Sequence, residues 1–316
     1  MANERHRLKT VTNFGKSLLM DKLEYNLKTW LDWALLSVGA WNDVEIPNST
    51  SFGGDMSRLR LTDDPNYTSG KVWEGVRKDW AWETDIDYGG SNNPISPAII
   101  YVDNVVTNPS FINYSLGRVV FSSALTSSNV VKAEHSYRSV QVYVADECPW
   151  WNELQYGSFR ADDPHFQQTE TGSWSIGSHH RIQMPTIVLE CVPRSTCKGA
   201  QLGDGSMWVE QDILLHIMAE SRSSRNQLVD ILRGQFDNTI PLFDSDLMAQ
   251  DGVFPLDENG DIVDSSLIYP ALVDRDDGYR WQLCKIIKTE VAEVQAFNSK
   301  LYQATVRWTC EVFLDD

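Results

Sequence analysis

The last stretch of the chain constrains the fold most. Tyr302, Ala304, Val306, Trp308, Cys310 and Val312 place an apolar or sulfur-bearing side chain at every second position. Gln303, Thr305, Arg307, Thr309 and Glu311 fill the positions between. A period of two residues belongs to a strand with one face buried and one face wet. Met207, Val209, Gln211, Ile213, Leu215 and Ile217 repeat the pattern upstream. Strands this long need long partners. Leu283–Val294 reads as the partner of the closing strand through a turn near Asn298-Ser299, and Thr186–Val192 as the partner of the other, across a loop from Pro193 to Gly205.

A helix is expected at the start. Leu23, Leu27, Trp30, Leu31, Ala34, Leu35 and Val38 recur at three- and four-residue spacing, which draws one apolar stripe from about Lys16 to Val38. Gly39 stands where a left-handed cap closes a helix. A second helix is expected around Leu228, Ile231, Leu232 and Phe236, with Ser224 and Gln227 in capping-box spacing. Between Trp41 and His180 helical periodicity disappears. Short β-rich runs (Ala98–Val106, Arg118–Phe121, Val131–Tyr137, Val140–Val144) alternate with Gly, Pro, Asn and Ser. The expected architecture is therefore α+β. One domain, residues 1–40 and 181–316, packs helices on a mainly antiparallel sheet, and residues 41–180 form an inserted small β-sandwich or barrel.

Charge narrows the function. With 27 basic and 44 acidic residues the net charge is −17, which disfavours a grip on nucleic acid or on anionic membrane. No run of about 18 apolar residues is present, so no membrane span is expected. Five cysteines, an odd number at spacings that fit no zinc pattern, read as reduced thiols of a protein that matures in the cytoplasm.

Chemistry is hard to find. The chain has no phosphate-binding loop, dinucleotide fingerprint or nucleophile elbow. His179-His180 is the only histidine pair, and adjacent residues rarely converge on one metal. Asp257, Asn259 and Asp261 begin like a calcium loop, but Ile262 and Ile268 stand where that loop needs Gly and Glu. The Asn259-Gly260 turn accounts for the segment better. No catalytic residue, metal ligand or cofactor is expected.

Aromatic content is the compositional oddity: twelve Trp in 316 residues. Large aromatics anchor interfaces when they do not fill cores. Trp30, the Trp80/Trp82 pair, the Trp150/Trp151 pair, and Pro193, Arg194, Lys198 and Gln201 of the expected loop are the candidate contacts with other subunits.

The segment from Pro185 to Phe243, with an apolar strand, a Leu-Gly turn, a long strand ending "LLHIMAES" and a helix carrying "NQLVDIL", resembles tail-terminator and neck proteins of tailed bacteriophages. The N-terminal helix and the closing "LYQATVRWTCEVF" look similar, and "INYSLGRVVFSS" resembles phage virion β-domains. The resemblance implies a tail-terminator-like domain and a non-enzymatic virion protein, assembled in the host cytoplasm. It implies a ring, usually a hexamer, at the head-to-tail junction. Partners would be copies of itself, the tail tube or sheath and the head-side connector, with DNA passing the lumen unheld. The competing expectation is a baseplate- or tail-associated β-rich module that binds carbohydrate or receptor through Trp80, Trp82, Trp150 and Trp151.

Overall fold

The computed structural model describes residues 18–47, 55–86, 94–156, 166–168, 173–177, 179–200, 205–296 and 300–314. The expectation of helices packed on one sheet, with a small β insertion, is corrected. The described residues are mainly β, 41% strand and 20% helix, in several sheets of which one curves as a half-barrel. The two helical stripes stand out in the sequence, whereas strands of two to four residues leave little periodicity to read.

The largest sheet has six strands in the order β15 (Thr239–Phe243), β16 (Arg280–Ala296), β17 (Tyr302–Leu314), β14 (Met207–Ala219), β13 (Thr186–Gly199) and β9 (Gln141–Val144). Every pairing is antiparallel except β9 with β13. The two long alternations of the sequence are direct neighbours here, with Ile213 across Trp308 and Leu215 across Val306. The stretch expected to be a loop after Val192 continues as strand to Gly199, past a register shift between Cys191 and Ser195. Its side chains are exposed on both faces, so no alternation marks it. Backbone hydrogen bonds to β14 carry it instead.

Both faces of this six-stranded sheet carry packed layers. On one face Ile187, Ile213, Leu215, Val306, Trp308 and Ile286 meet Leu23, Leu27, Trp30 and Leu31 of α1 (Leu19–Ser37) and Leu228 and Leu232 of α3 (Arg222–Arg233). Gly39 has φ +83° and its amide donates to the Leu36 carbonyl at 2.8 Å, which ends α1 as expected. The N-cap of α3 is Ser221, whose hydroxyl accepts from the Ser224 amide at 3.0 Å, rather than Ser224 itself. On the opposite face Val188 and Met218 pack against Trp150, Trp151 and Leu154 of α2 (Pro149–Tyr156) and against Trp174, Ile176 and Ile182. Trp174 and Ile176 belong to β11 (Trp174–Ile176) and Ile182 to β12 (His179–Ile182), which with β10 (Phe166–Gln168) form a three-stranded sheet. Residues 141–182, where described, are thus bound to the large sheet.

Upstream of them two four-stranded sheets share one core. Their orders are β1 (Trp41–Val44), β8 (Val131–Arg138), β4 (Ile99–Val102), β5 (Val105–Val106), and β2 (Arg60–Leu61), β3 (Val72–Glu74), β7 (Arg118–Val120), β6 (Phe111–Asn113). Leu59, Trp73, Trp80, Ile100, Val119, Val131 and Ala133 fill the space between. The run expected as one strand, Ala98–Val106, is a hairpin. Asp103 and Asn104 adopt positive φ, the two-residue turn that matches strand twist.

One polar residue joins α1 to the sheet edge. Asn26 is fully buried. Its amide donates to the Phe243 carbonyl at 3.0 Å and its side-chain oxygen accepts from the Phe243 amide at 2.7 Å, as a neighbouring strand would. Asn26→Ala is expected to cost about 2–3 kcal/mol in urea denaturation, because two buried backbone groups lose their partners at once. A loss below about 0.5 kcal/mol would contradict this account.

Candidate functional site

Most of the sequence-derived contact residues lie inside. Trp30 packs 6.2 Å from Trp308 in the main core. Trp80 is fully buried, stacked on His135 with ring centroids 4.0 Å apart, and its indole donates to the Arg77 carbonyl at 3.0 Å. Trp150 and Trp151 are both buried, edge to face at 6.3 Å. They sit on α2 rather than a strand, so adjacency does not send them to opposite sides of a sheet. Their apolar area is already spent within the chain, which removes them as anchors for a neighbour. Trp82 is half-buried. Pro193, Arg194 and Lys198 are exposed on β13, and Gln201 lies outside the described residues.

The exposed apolar surface is elsewhere. At the open end of the large sheet, Lys198 pairs with Trp208 and Trp208 with Phe313. One further residue along the β16–β17 register, Leu283 falls across Phe313, and Leu283 pairs with Pro241. Five strands therefore contribute Pro241, Leu283, Phe313, Trp208 and Lys198 to one row on one face. The row spans about 20 Å at about 4.8 Å per strand. Trp208 is 41% exposed and Leu283 44%, and the Trp208 and Phe313 rings lie 4.9 Å apart. Behind this stripe the same face turns polar, with Lys198–Glu210 at 2.6 Å and Lys288–Glu290 at 2.9 Å. Surface pairs of this kind add little stability, but they set a charge pattern for a partner.

The stripe ends on two strand edges. β9 pairs with β13 only from Thr186 to Leu189, so the outer edge of β13 beyond Glu190 has no neighbouring strand among the described residues. β15 is the opposite edge of the sheet, but it is capped within the chain: Asn26 takes both backbone groups of Phe243, and the carbonyl of Pro241, a residue without an N–H, accepts from the Tyr269 hydroxyl at 2.6 Å. The uncovered edge of β13 is a template for pairing with another chain.

A second feature is a crevice of about 700 Å³ between α1, the segment 78–83, the β8–β9 connection, β12 and residues 267–272. Trp33, Trp82 and Trp150 are among its walls. A chain of charges runs along it. Lys28 lies 3.4 Å from Asp32, Asp32 lies 3.8 Å from Arg138, and Arg138 is paired with Glu83. The Tyr143 hydroxyl donates to Asp79 at 2.8 Å. Burial pushes the Asp79 and Glu83 carboxyls up, and the Arg138 guanidinium opposes the rise in both. Asp79 has φ +51° and Arg181, on another wall, φ +59°. Strained backbone of this kind persists only where the surroundings hold it.

No protein-family model matches the sequence, and comparison with curated proteins finds no significant match. Among the described residues no three His, Cys, Asp or Glu side chains are grouped to hold a metal ion. His179 and His180 diverge, His179 toward Glu153 at 3.2 Å and His180 toward the Ser175 hydroxyl at 2.9 Å. No helix among the described residues is long and apolar enough to cross a membrane. Sequence reasoning missed both the stripe and the crevice. The available signal for the stripe was Trp208 and Phe313, aromatics that fall in the polar phase of otherwise regular alternations.

Proposed function

We propose that this chain is a non-enzymatic structural subunit that joins copies of itself head to tail in a closed ring, as a neck or tail component of a tailed-phage virion. The observation that supports the reading best is the row Pro241, Leu283, Phe313, Trp208 and Lys198, which ends at the uncovered outer edge of β13. A head-to-tail interface uses two different surfaces of one subunit and closes into a ring when the rotation allows. The uncovered β13 edge of one copy offers backbone groups to the next, and the aromatic row beside it offers an apolar face. The aromatic pair supplies a desolvated centre and the polar row behind it a rim. A net charge of −17 suits a lumen that DNA crosses without adhering. The phage assignment itself rests on the sequence segments quoted above.

Light scattering and negative-stain microscopy of the purified protein test the reading. Rings are expected for the native chain, and Trp208→Lys with Leu283→Lys is expected to reduce them to monomers with an unchanged melting temperature. A native chain that stays monomeric at high concentration and does not bind tail tubes would refute it.

A further inference from the structure

We propose that the crevice between α1 and the segment 78–83 is a binding site for a neutral sugar. This does not rest on the ring reading, since the stripe and the crevice are separate surfaces. Its volume of about 700 Å³ is in the range of small-ligand sites. Half-buried Trp33 and Trp82 contribute to its walls. The electron-rich face of an indole attracts the polarised C–H bonds on the flat side of a pyranose ring.

The charges decide the ligand class. Lys28, Asp32, Arg138 and Glu83 alternate in sign along one wall and are paired with each other at Lys28–Asp32 3.4 Å and Asp32–Arg138 3.8 Å, with Arg138 joined to Glu83. A ligand with a net charge of either sign meets a like charge close to every attractive one. A neutral molecule with adjacent hydroxyls does not. Each hydroxyl both donates and accepts, so neighbouring hydroxyls can give to Asp32 or Glu83 and take from Lys28. Hydrogen bonds to ionised groups are about twice as strong as neutral ones. The mutual pairing also fixes the four side chains before a ligand arrives, which lowers the entropy lost on binding.

Saturation-transfer NMR on the full chain tests the proposal with glucose, galactose and N-acetylglucosamine, and with glucuronate as the charged comparison. At least one neutral sugar is expected to receive saturation on its ring protons, with glucuronate weaker. Trp82→Ala and Lys28→Ala, each shown to be folded by its melting transition, are expected to weaken that signal by about tenfold or more, about 1.4 kcal/mol. Lys28 is half-buried and lies outside the buried stripe of α1, so its variant decides the matter if Trp82→Ala does not fold. No transfer to any neutral sugar overturns the proposal. So does a signal unchanged in Lys28→Ala, or glucuronate binding more tightly than glucose.

Discussion

Gly117→Ala is expected to destabilise the chain by about 3 kcal/mol or more, the sum of left-handed backbone strain and overpacking. Gly117 has φ +58°, and a Cβ there would stand 2.3 Å from the Arg77 carbonyl oxygen, 2.9 Å from the Trp80 indole nitrogen and 3.2 Å from the Lys78 Cα. Two of those three atoms are backbone, so no flexible side chain can yield. The Arg77 carbonyl already accepts from Trp80 at 3.0 Å, and the Gly117 carbonyl accepts from the Gly75 amide at 2.9 Å. Moving the turn therefore disturbs the segment that carries Lys78 and Asp79 along the crevice wall. Gly199→Ala is the control, since a Cβ there meets nothing within 4 Å. Urea unfolding of the two variants should separate them widely, and equal losses would show that the turn is not packed as described.

The second large effect is acid lability from His135. Its ring is buried against Trp80, and neither ring nitrogen reaches a hydrogen-bond partner. Burial pushes its pKa down to about 3. The folded state then binds fewer protons than the unfolded state between pH 6.5 and about 3. Stability falls as the pH drops through that window. The slope is about 1.4 kcal/mol per pH unit and the total roughly 4–5 kcal/mol. His135→Phe keeps a ring over Trp80 and removes the proton. Urea melts from pH 7 to pH 4 should show the variant losing less stability than the native chain by about that slope. Parallel pH profiles would mean that His135 is not the buried base.

Much of the secondary structure was readable because one face of each long element is buried. The stripe of α1 and the alternations of β14 and β17 are the imprint of that burial. Where burial does not alternate, the pattern is silent. Ser195, Thr196, Cys197 and Lys198 are exposed on both faces, so a strand held by its backbone ladder looked like a loop. Asp103 and Asn104 turn an apolar run back on itself through positive φ and an Asp103 carboxylate that accepts from the Val130 amide at 2.8 Å, and one expected strand became a hairpin. The helical stripes were legible and most of the short strands were not, which is how a mainly β chain came to look like helices on a sheet. The aromatic excess was visible, but its destination was not. Trp80, Trp150 and Trp151 fill cores, whereas Trp208 reaches the surface.

The sequence by itself determined the acidic balance, the apolar helix that ends at Gly39, and the facing of the long strands, because each is a property of neighbouring residues. Only the tertiary structure decided which residues stand side by side across strands. Pro241, Leu283, Phe313, Trp208 and Lys198 form one row although the chain separates them widely, and Lys28, Asp32, Glu83 and Arg138 form one charge chain drawn from three segments. The physical reason is that strand register and element packing are pairwise and non-local. A two-residue period says which face a side chain takes, and only the partner strand says what it meets there.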